Sequence, residues 1–304
     1  MCGLARIDGS GSLIKWFIPY VLVASLQYQF TKNGLLYASP FVLMTFRYLL
    51  VGTVFYFLGG RKLRLDRDTI RIAVFASIST GLWAAGLQYV SPGDSAVLSY
   101  TMPLFSIPIS YLAIGEKAKL REIAGAIVGF SGVILYSMTL NHGSVLVGAI
   151  FTVLNAVFWA AYSVLYRKLR NSEPIPVLTT QFVVGSIPFV VGTFLFPRFD
   201  PTSSLFIDLI YVVVFTGLIQ YYLWNGLLRR GRVGRITTMA FAVPATSIII
   251  DSILSSTIPG DLAIVGATVM FFGIFISSWT EDRGVSKESG LPESKNEPSS
   301  ASKS

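Results

Sequence analysis

Long apolar runs alternate along the chain with short polar or turn-forming segments. Lipid offers a backbone no hydrogen-bond partners, so a spanning helix needs about 20 mostly apolar residues to cross roughly 30 Å of hydrocarbon. Ten such runs are present, at about 13–30, 38–58, 70–90, 95–114, 122–140, 144–169, 176–196, 204–228, 235–256 and 261–280. The tightest junctions, Ser91-Pro92-Gly93-Asp94 and Asn141-His142-Gly143, carry turn signals. The pattern predicts an all-α integral membrane protein of ten transmembrane helices. Segment 1–12 has no signal-peptide pattern with a small-residue cleavage site, so the first helix is expected to stay in place as an anchor. Segment 281–304 is rich in Ser, Lys, Glu and Pro and predicts a disordered tail.

Composition agrees: 53% of the 304 residues are hydrophobic and 13% charged, where a soluble domain has about a quarter charged. Mean hydropathy is +0.63. The one cysteine, Cys2, excludes an internal disulfide framework or a Cys-rich metal site. The net charge of +8 matters through its placement. All of the 24 Lys and Arg except Lys32, Arg47 and Arg198 fall in the loops and tails on the amino-terminal side. Cytoplasmic loops collect these residues, so both termini are expected on the cytoplasmic side of a cell membrane. The run RRGRVGR at 229–235 then becomes a cytoplasmic loop facing water and anionic headgroups. It marks topology first, with an anionic-lipid contact as the alternative and no role in nucleic-acid binding.

That loop opens an internal repeat. At an offset of 141, Gly93 meets Gly234, Pro103 meets Pro244, Ser106 meets Ser247, Gly125 meets Gly266, Ala126 meets Ala267 and Gly132 meets Gly273. The units are 13–140 and 144–280, five helices each. Five is odd, so the second unit enters from the opposite face, and an inverted repeat is expected. Secondary transporters commonly use this architecture to open one central site to either side.

The stretch Gly93-Asp-Ser-Ala-Val-Leu-Ser-Tyr-Thr-Met-Pro-Leu-Phe105, then Ile114-Gly115-Glu116-Lys117, Gly125-Ala126 and Gly132-Val133, resembles the EamA-like branch of the drug/metabolite transporter superfamily. Phe46-Arg47-Tyr48 and Phe158-Trp159-Ala160-Ala161-Tyr162 are similar to it as well, and the resemblance spans about 13–280. It implies ten helices in two inverted repeats, a cavity among helices one to four and six to nine, and export or exchange of amino acids and other small metabolites. The chain departs from the pattern at Ser25-Leu26-Gln27-Tyr28, which lacks a Trp-Gly step, and at Thr257-Ile258-Pro259, where a counterpart of Glu116 is missing.

Polar groups at bilayer depth cost about 2.5–3.5 kcal/mol for Arg or Asp on insertion scales, and so should face protein or a wet cavity. Arg47 sits mid-helix and is the basic residue at that depth; it either holds a substrate carboxylate or locks helices through backbone carbonyls. Asn155, Trp159, Tyr162 and Tyr166 share one helical face, and Gln220 with Trp224 lies four apart beside Tyr221 and Asn225. Gln27, Trp83, and Ser99 with Tyr100 complete a set suited to a small amphipathic metabolite, with rings as walls and amides to fix orientation. For each alone the alternative is packing; Trp16, Tyr166 and Trp279 also suit the interfacial aromatic belt.

Pro103 and Pro244 should kink helices four and nine and serve as hinges. Asp251, about five residues from the outer end of helix nine, is a candidate proton carrier, or is bonded to a neighbouring helix or wetted at the interface. Glu116 is expected in a gate or surface salt bridge. His142 falls in an outer turn, as a solvated residue. Gly125-xxx-Gly129 allows close helix packing or a homodimer face. One histidine, one cysteine and scattered carboxylates supply no catalytic constellation, and no Walker loop is present, so neither an enzyme nor an ATP-driven pump is expected and no cofactor is called for. A channel is the closer rival and a lipid scramblase a more distant one. The sequence therefore predicts a secondary transporter with a small-molecule substrate, lipid neighbours and protons as the candidate coupling ion.

Overall fold

In the computed structural model the described residues are 11–138, 145–256 and 260–278, and they are almost wholly helical. Expectations for 1–10, His142, Thr257-Ile258-Pro259, Trp279 and the tail lie outside them. The helices are α1 Gly11–Tyr37, α2 Pro40–Leu58, α3 Arg67–Leu87, α4 Pro92–Ser99, α5 Met102–Ile114, α6 Leu120–Ser137 and α7 Val145–Lys168, then α8 Pro174–Gly185, α9 Ile187–Leu195 and α10 Ser203–Ile210. A π-helical segment, Tyr211–Gln220, leads into α11 Tyr221–Arg230, α12 Val233–Met239, α13 Ala242–Ser255 and α14 Asp261–Ser278.

Helix starts follow local chemistry. Ser39, Asp66, Ser91 and Thr202 each accept a hydrogen bond from the backbone N–H three residues on, at 3.1–3.2 Å, and Pro40 and Pro92 occupy first-turn positions where no donor is lost. Gly115 ends α5 at φ 67°, a left-handed conformation that favours glycine.

Seven continuous spans among the described residues are long and apolar enough to cross a membrane: Pro40–Leu58, Arg67–Leu87, Pro92–Ile114, Leu146–Lys168, Pro174–Leu195, Ser203–Arg230 and Val233–Leu254. The 27-residue α1 and the 18-residue α6 and α14 pack with them. The outside is a belt of exposed Leu, Ile, Val and Phe, while Ser, Thr, Asn and Gln are buried. This is the distribution a multi-pass bundle in lipid requires, since each buried polar group must find protein partners.

Two spans break rather than bend. The chain leaves helix at Tyr100–Thr101 and again at Ala240–Phe241, one turn before Pro103 and Pro244. A proline removes one donor and clashes with the preceding turn, which explains both positions. The glycines expected to allow close packing do so inside the chain. A Cβ on Gly125 would fall 2.6 Å from the Gly273 oxygen, one on Gly132 would fall 2.5 Å from the Gly266 oxygen, and Gly129 is covered by the ring of Phe241. That stripe is thereby taken up by α14 and by Phe241 in the break before α13, and offers no dimer face.

One end of the bundle concentrates ion pairs. Arg232 meets Glu122 at 2.9 Å, Lys168 meets Asp68 at 2.7 Å and Arg167 meets Glu116 at 3.5 Å. We refer to it as the arginine-rich end.

Candidate functional site

A central cavity lies where α1, α2, α3, α4, α7 and the π-helical segment converge. Its empty space is about 480 Å³ with the open side included. Of the residues singled out from sequence, Gln27, Arg47, Trp83, Ser99, Tyr100, Asn155, Trp159, Gln220 and Tyr221 line it.

A hydrogen-bond frame fixes the walls. Asn155 accepts from Ser79 Oγ at 2.6 Å and donates to Ser99 Oγ at 3.2 Å, tying α7 to α3 and α4. Tyr48 donates to Thr80 Oγ1 at 2.9 Å, and Thr80 Oγ1 lies 3.2 Å from the Tyr221 hydroxyl. The hydroxyls of Tyr20 and Tyr100 meet at 3.0 Å. Arg47 Nη2 donates to the Thr216 carbonyl at 3.0 Å, and its guanidinium lies 5.4 Å from the centre of the Tyr221 ring. π-Helical segments are rare and often accompany functional sites, and here one supplies the carbonyl that holds Arg47.

Both readings of Arg47 therefore have a basis: it braces the bundle through Thr216 and it lines the cavity. Three buried polar atoms on cavity residues have no hydrogen-bond partner, namely Arg47 Nε, Trp83 Nε1 and Gln220 Oε1. Leaving such groups unsatisfied costs about 1–3 kcal/mol each, so they mark where a ligand gains most.

Tyr162 and Trp224 do not line the cavity. Tyr162 donates to Asn225 Oδ1 at 2.7 Å and Trp224 Nε1 to Ser163 Oγ at 3.1 Å, both fully buried. They stack with Trp159, Tyr20 and Tyr166 into an aromatic layer between the cavity and the arginine-rich end. Tyr166, expected at the lipid interface, is 1% exposed, because its ring packs on Tyr162 inside this layer. Trp16 is partly exposed, with the Arg230 guanidinium 3.9 Å from its ring centre.

The residues considered for gating lie elsewhere. Glu116 accepts from the Val233 N–H at 2.7 Å and pairs with Arg167, so it caps α12 while joining α5 to α7. A carboxylate at a helix N-terminus is favoured by the helix dipole. Asp251 has the corresponding position at the other end, where its Oδ2 would be 3.1 Å from a Cβ on Gly93, in the first turn of α4. Pro103 and Pro244 mark the two breaks and lie outside the cavity wall.

Sequence reasoning missed Tyr20, Tyr28, Ser79, Thr80 and Met102 as lining residues. Ser79, Thr80 and Trp83 share a face of α3, and that spacing was the available signal. It also passed over Asp208 on α10, which is 4% exposed. Among the described residues no group of three or more His, Cys, Asp or Glu could hold a metal.

The EamA-like transporter family model matches residues 12–138 and 146–279. An uncharacterised transporter of Acidianus ambivalens is 40% identical over 77% of this chain and 92% of its own. More distant relatives include an aromatic amino acid exporter of Ancylobacter novellus, 21% identical over 61% of this chain and 67% of its own, and a riboflavin transporter of Rhizobium johnstonii, 28% identical over 49% and 50%. A crystal structure 18% identical in sequence superposes with a TM-score of 0.75 over 89% of this chain and 97% of that one, a likeness of fold. The chain thus belongs to the EamA-like family of drug/metabolite transporters, multi-pass membrane proteins that act as secondary transporters and not as enzymes.

Proposed function

We propose that this transporter moves a small amphipathic metabolite bearing a carboxylate, an amino acid or close relative, by alternating access around the central cavity. The observation that carries this reading is the trio of unpaired atoms on the cavity residues. Arg47 Nε and Trp83 Nε1 offer two donors for an anionic group, and Gln220 Oε1 offers an acceptor for an N–H. The Trp159 and Tyr221 rings supply an apolar wall. The names of two relatives fit a ring-bearing substrate, an aromatic amino acid in one and riboflavin in the other. The aromatic layer beneath the cavity favours a carrier over an open pore.

The mechanism follows from ten spans in two inverted five-helix units, both termini cytoplasmic. Packing supports this arrangement. Gly125 faces Gly273 while Gly132 faces Gly266, which is the crossed pairing that a two-fold axis between repeats at an offset of 141 would produce. The break at Tyr100–Thr101 likewise has its counterpart at Ala240–Phe241. Rocking of one unit against the other would break the ion pairs of the arginine-rich end and loosen the contact of Asp251 with α4. In this scheme Asp251 carries the coupling proton, Glu116 serves as a gate, and Pro103 and Pro244 are hinges.

The test is uptake of a labelled amino-acid panel by purified protein in liposomes, with and without a pH gradient. Saturable uptake of one class, lost in a folded Arg47→Ala variant, is the expected result, with gradient dependence lost in Asp251→Asn. No saturable uptake of any carboxylated solute would overturn the substrate assignment.

A further inference from the structure

A second polar cleft opens at the arginine-rich end, where the first turns of α1 and α8 meet the last turns of α11. Its empty space is about 450 Å³, open side included, and it is separate from the central cavity. Trp16, Tyr222, Asn225, Arg229 and Arg230 give it its chemistry.

Apart from the Tyr222 hydroxyl, which can donate or accept, the side-chain groups it presents for a ligand are donors. Asn225 is 1% exposed; its Oδ1 is occupied by the Tyr162 hydroxyl, and its Nδ2 makes no well-formed hydrogen bond, with the buried Tyr166 hydroxyl as its nearby acceptor. Arg229 lies beside the Tyr166 hydroxyl, and its buried Nη1 makes no well-formed hydrogen bond. Arg230 is held in place by the Trp16 ring and by a 2.9 Å bond from its Nη1 to the Gly226 carbonyl, with its charge at the mouth.

The neighbouring basic residues contrast with this pair. Arg232, Arg167 and Lys168 each have a carboxylate partner. Among the described residues neither Arg229 nor Arg230 has one, and no acidic side chain lines the cleft. Two guanidiniums with unspent donors beside a buried amide donor call for an anion with several acceptor oxygens, which is the chemistry of a phosphate. Tyr222 is 42% exposed and Trp16 partly so, and rings of this kind mark the headgroup level of a membrane.

We propose that this cleft binds a phosphate group, with Asn225 Nδ2 and Arg229 Nη1 as donors and the Trp16-stacked Arg230 as its counter-charge. A lipid phosphodiester and a free phosphate share this chemistry. The site is independent of what the central cavity transports.

The test titrates the purified full-length protein in micelles with short-chain phosphatidylglycerol, short-chain phosphatidylcholine and inorganic phosphate, following the thermal unfolding midpoint. A saturable rise with phosphatidylglycerol and not with phosphatidylcholine identifies an anionic lipid, whereas a rise with inorganic phosphate alone identifies a soluble anion. In either case the half-saturation should move about fivefold for each arginine removed in Arg229→Gln and Arg230→Gln. Arg121→Gln, an exposed charge at the same end, should leave it unchanged. No shift with phosphatidylglycerol or phosphate, or a shift that survives in the double arginine variant, overturns the proposal. Should that variant fail to fold, quenching of the native protein by brominated lipid decides. The fluorescence component absent from Trp16→Phe should be quenched more by brominated phosphatidylglycerol than by brominated phosphatidylcholine if the ligand is an anionic lipid, or should change on titration with inorganic phosphate if it is a soluble anion; equal quenching with no response to phosphate would refute the site.

Discussion

Replacing Gly132 by alanine places a methyl group 2.5 Å from the Gly266 carbonyl oxygen and 2.8 Å from the Met270 nitrogen. Ordinary contact begins near 3.4 Å, so the shortfall is about 0.9 Å. Both obstructing atoms are backbone atoms of α14, so no side chain can swing aside and the helices must part. Overpacking of this kind costs about 1–3 kcal/mol. Alanine also favours a helix interior over glycine by about 1 kcal/mol, which works the other way. With both obstructing atoms fixed in the backbone, the net loss should be up to about 2 kcal/mol. At Gly266 the nearest atoms are 2.8 and 2.9 Å away, so Gly266→Ala should cost less. The double variant should lose less than the two singles together, because helices already parted by one methyl accommodate the second. Gly260, the N-cap of α14, has no described atom within 4 Å of such a Cβ, so Gly260→Ala meets no obstruction and should lose only the small N-cap preference of glycine over alanine. Unfolding of the four variants in micelles, with molecular mass followed in parallel, checks the ordering. A Gly132→Ala protein as stable as Gly260→Ala, or one that changes its oligomeric state instead of its stability, would refute the internal packing of α6 on α14.

Arg47→Gln should weaken a carboxylated substrate by about 1.5–3 kcal/mol, or roughly 10- to 150-fold, and hardly affect the corresponding amine without a carboxylate; competition binding with such a pair measures it. Asp66 caps α3: partial burial raises its pKa, but hydrogen bonds from Thr69 and Arg64 outweigh this and hold it down to about 2. Its folded value lies below its unfolded one, so Asp66→Ala should cost about 1 kcal/mol above pH 4, with the exposed pair discounted for screening, and progressively less as pH falls toward 2, as read from unfolding against pH. Asp208→Asn should raise the unfolding midpoint, since a buried carboxylate is costlier than a buried amide. Asp251→Asn should remove the effect of a pH gradient on uptake while exchange of labelled for unlabelled substrate persists.

Much of the bundle was legible because one constraint dominates: apolar runs of spanning length leave a backbone little choice but helix. The close contact of α6 and α14 was legible because Gly125, Gly132, Gly266 and Gly273 sit where helices nearly touch, with little room for a side chain. The cavity was legible in part. Arg47, Asn155 and Gln220 stand out as polar residues in oily helices, but Tyr20 and Tyr28 resemble any interfacial aromatic until α1 is seen lying between α13 and α11. The stripe Asn155, Trp159, Tyr162 and Tyr166 is real, yet only its first two members reach the cavity, since depth along the helix decides what each residue meets. The π-helical turn that presents the Thr216 carbonyl to Arg47 left no pattern in hydrophobic periodicity, because it alters backbone bonding without altering which residues are apolar.

Solute counterflow tests the central claim most directly. Liposomes containing the protein are loaded with unlabelled substrate and diluted into a trace of labelled substrate, with no ion gradient. A carrier that alternates around one site should drive a transient accumulation of label above its equilibrium level, at a rate that saturates with substrate and falls in Arg47→Gln. Label that equilibrates without an overshoot, at a rate linear in concentration, would contradict alternating access and describe a channel.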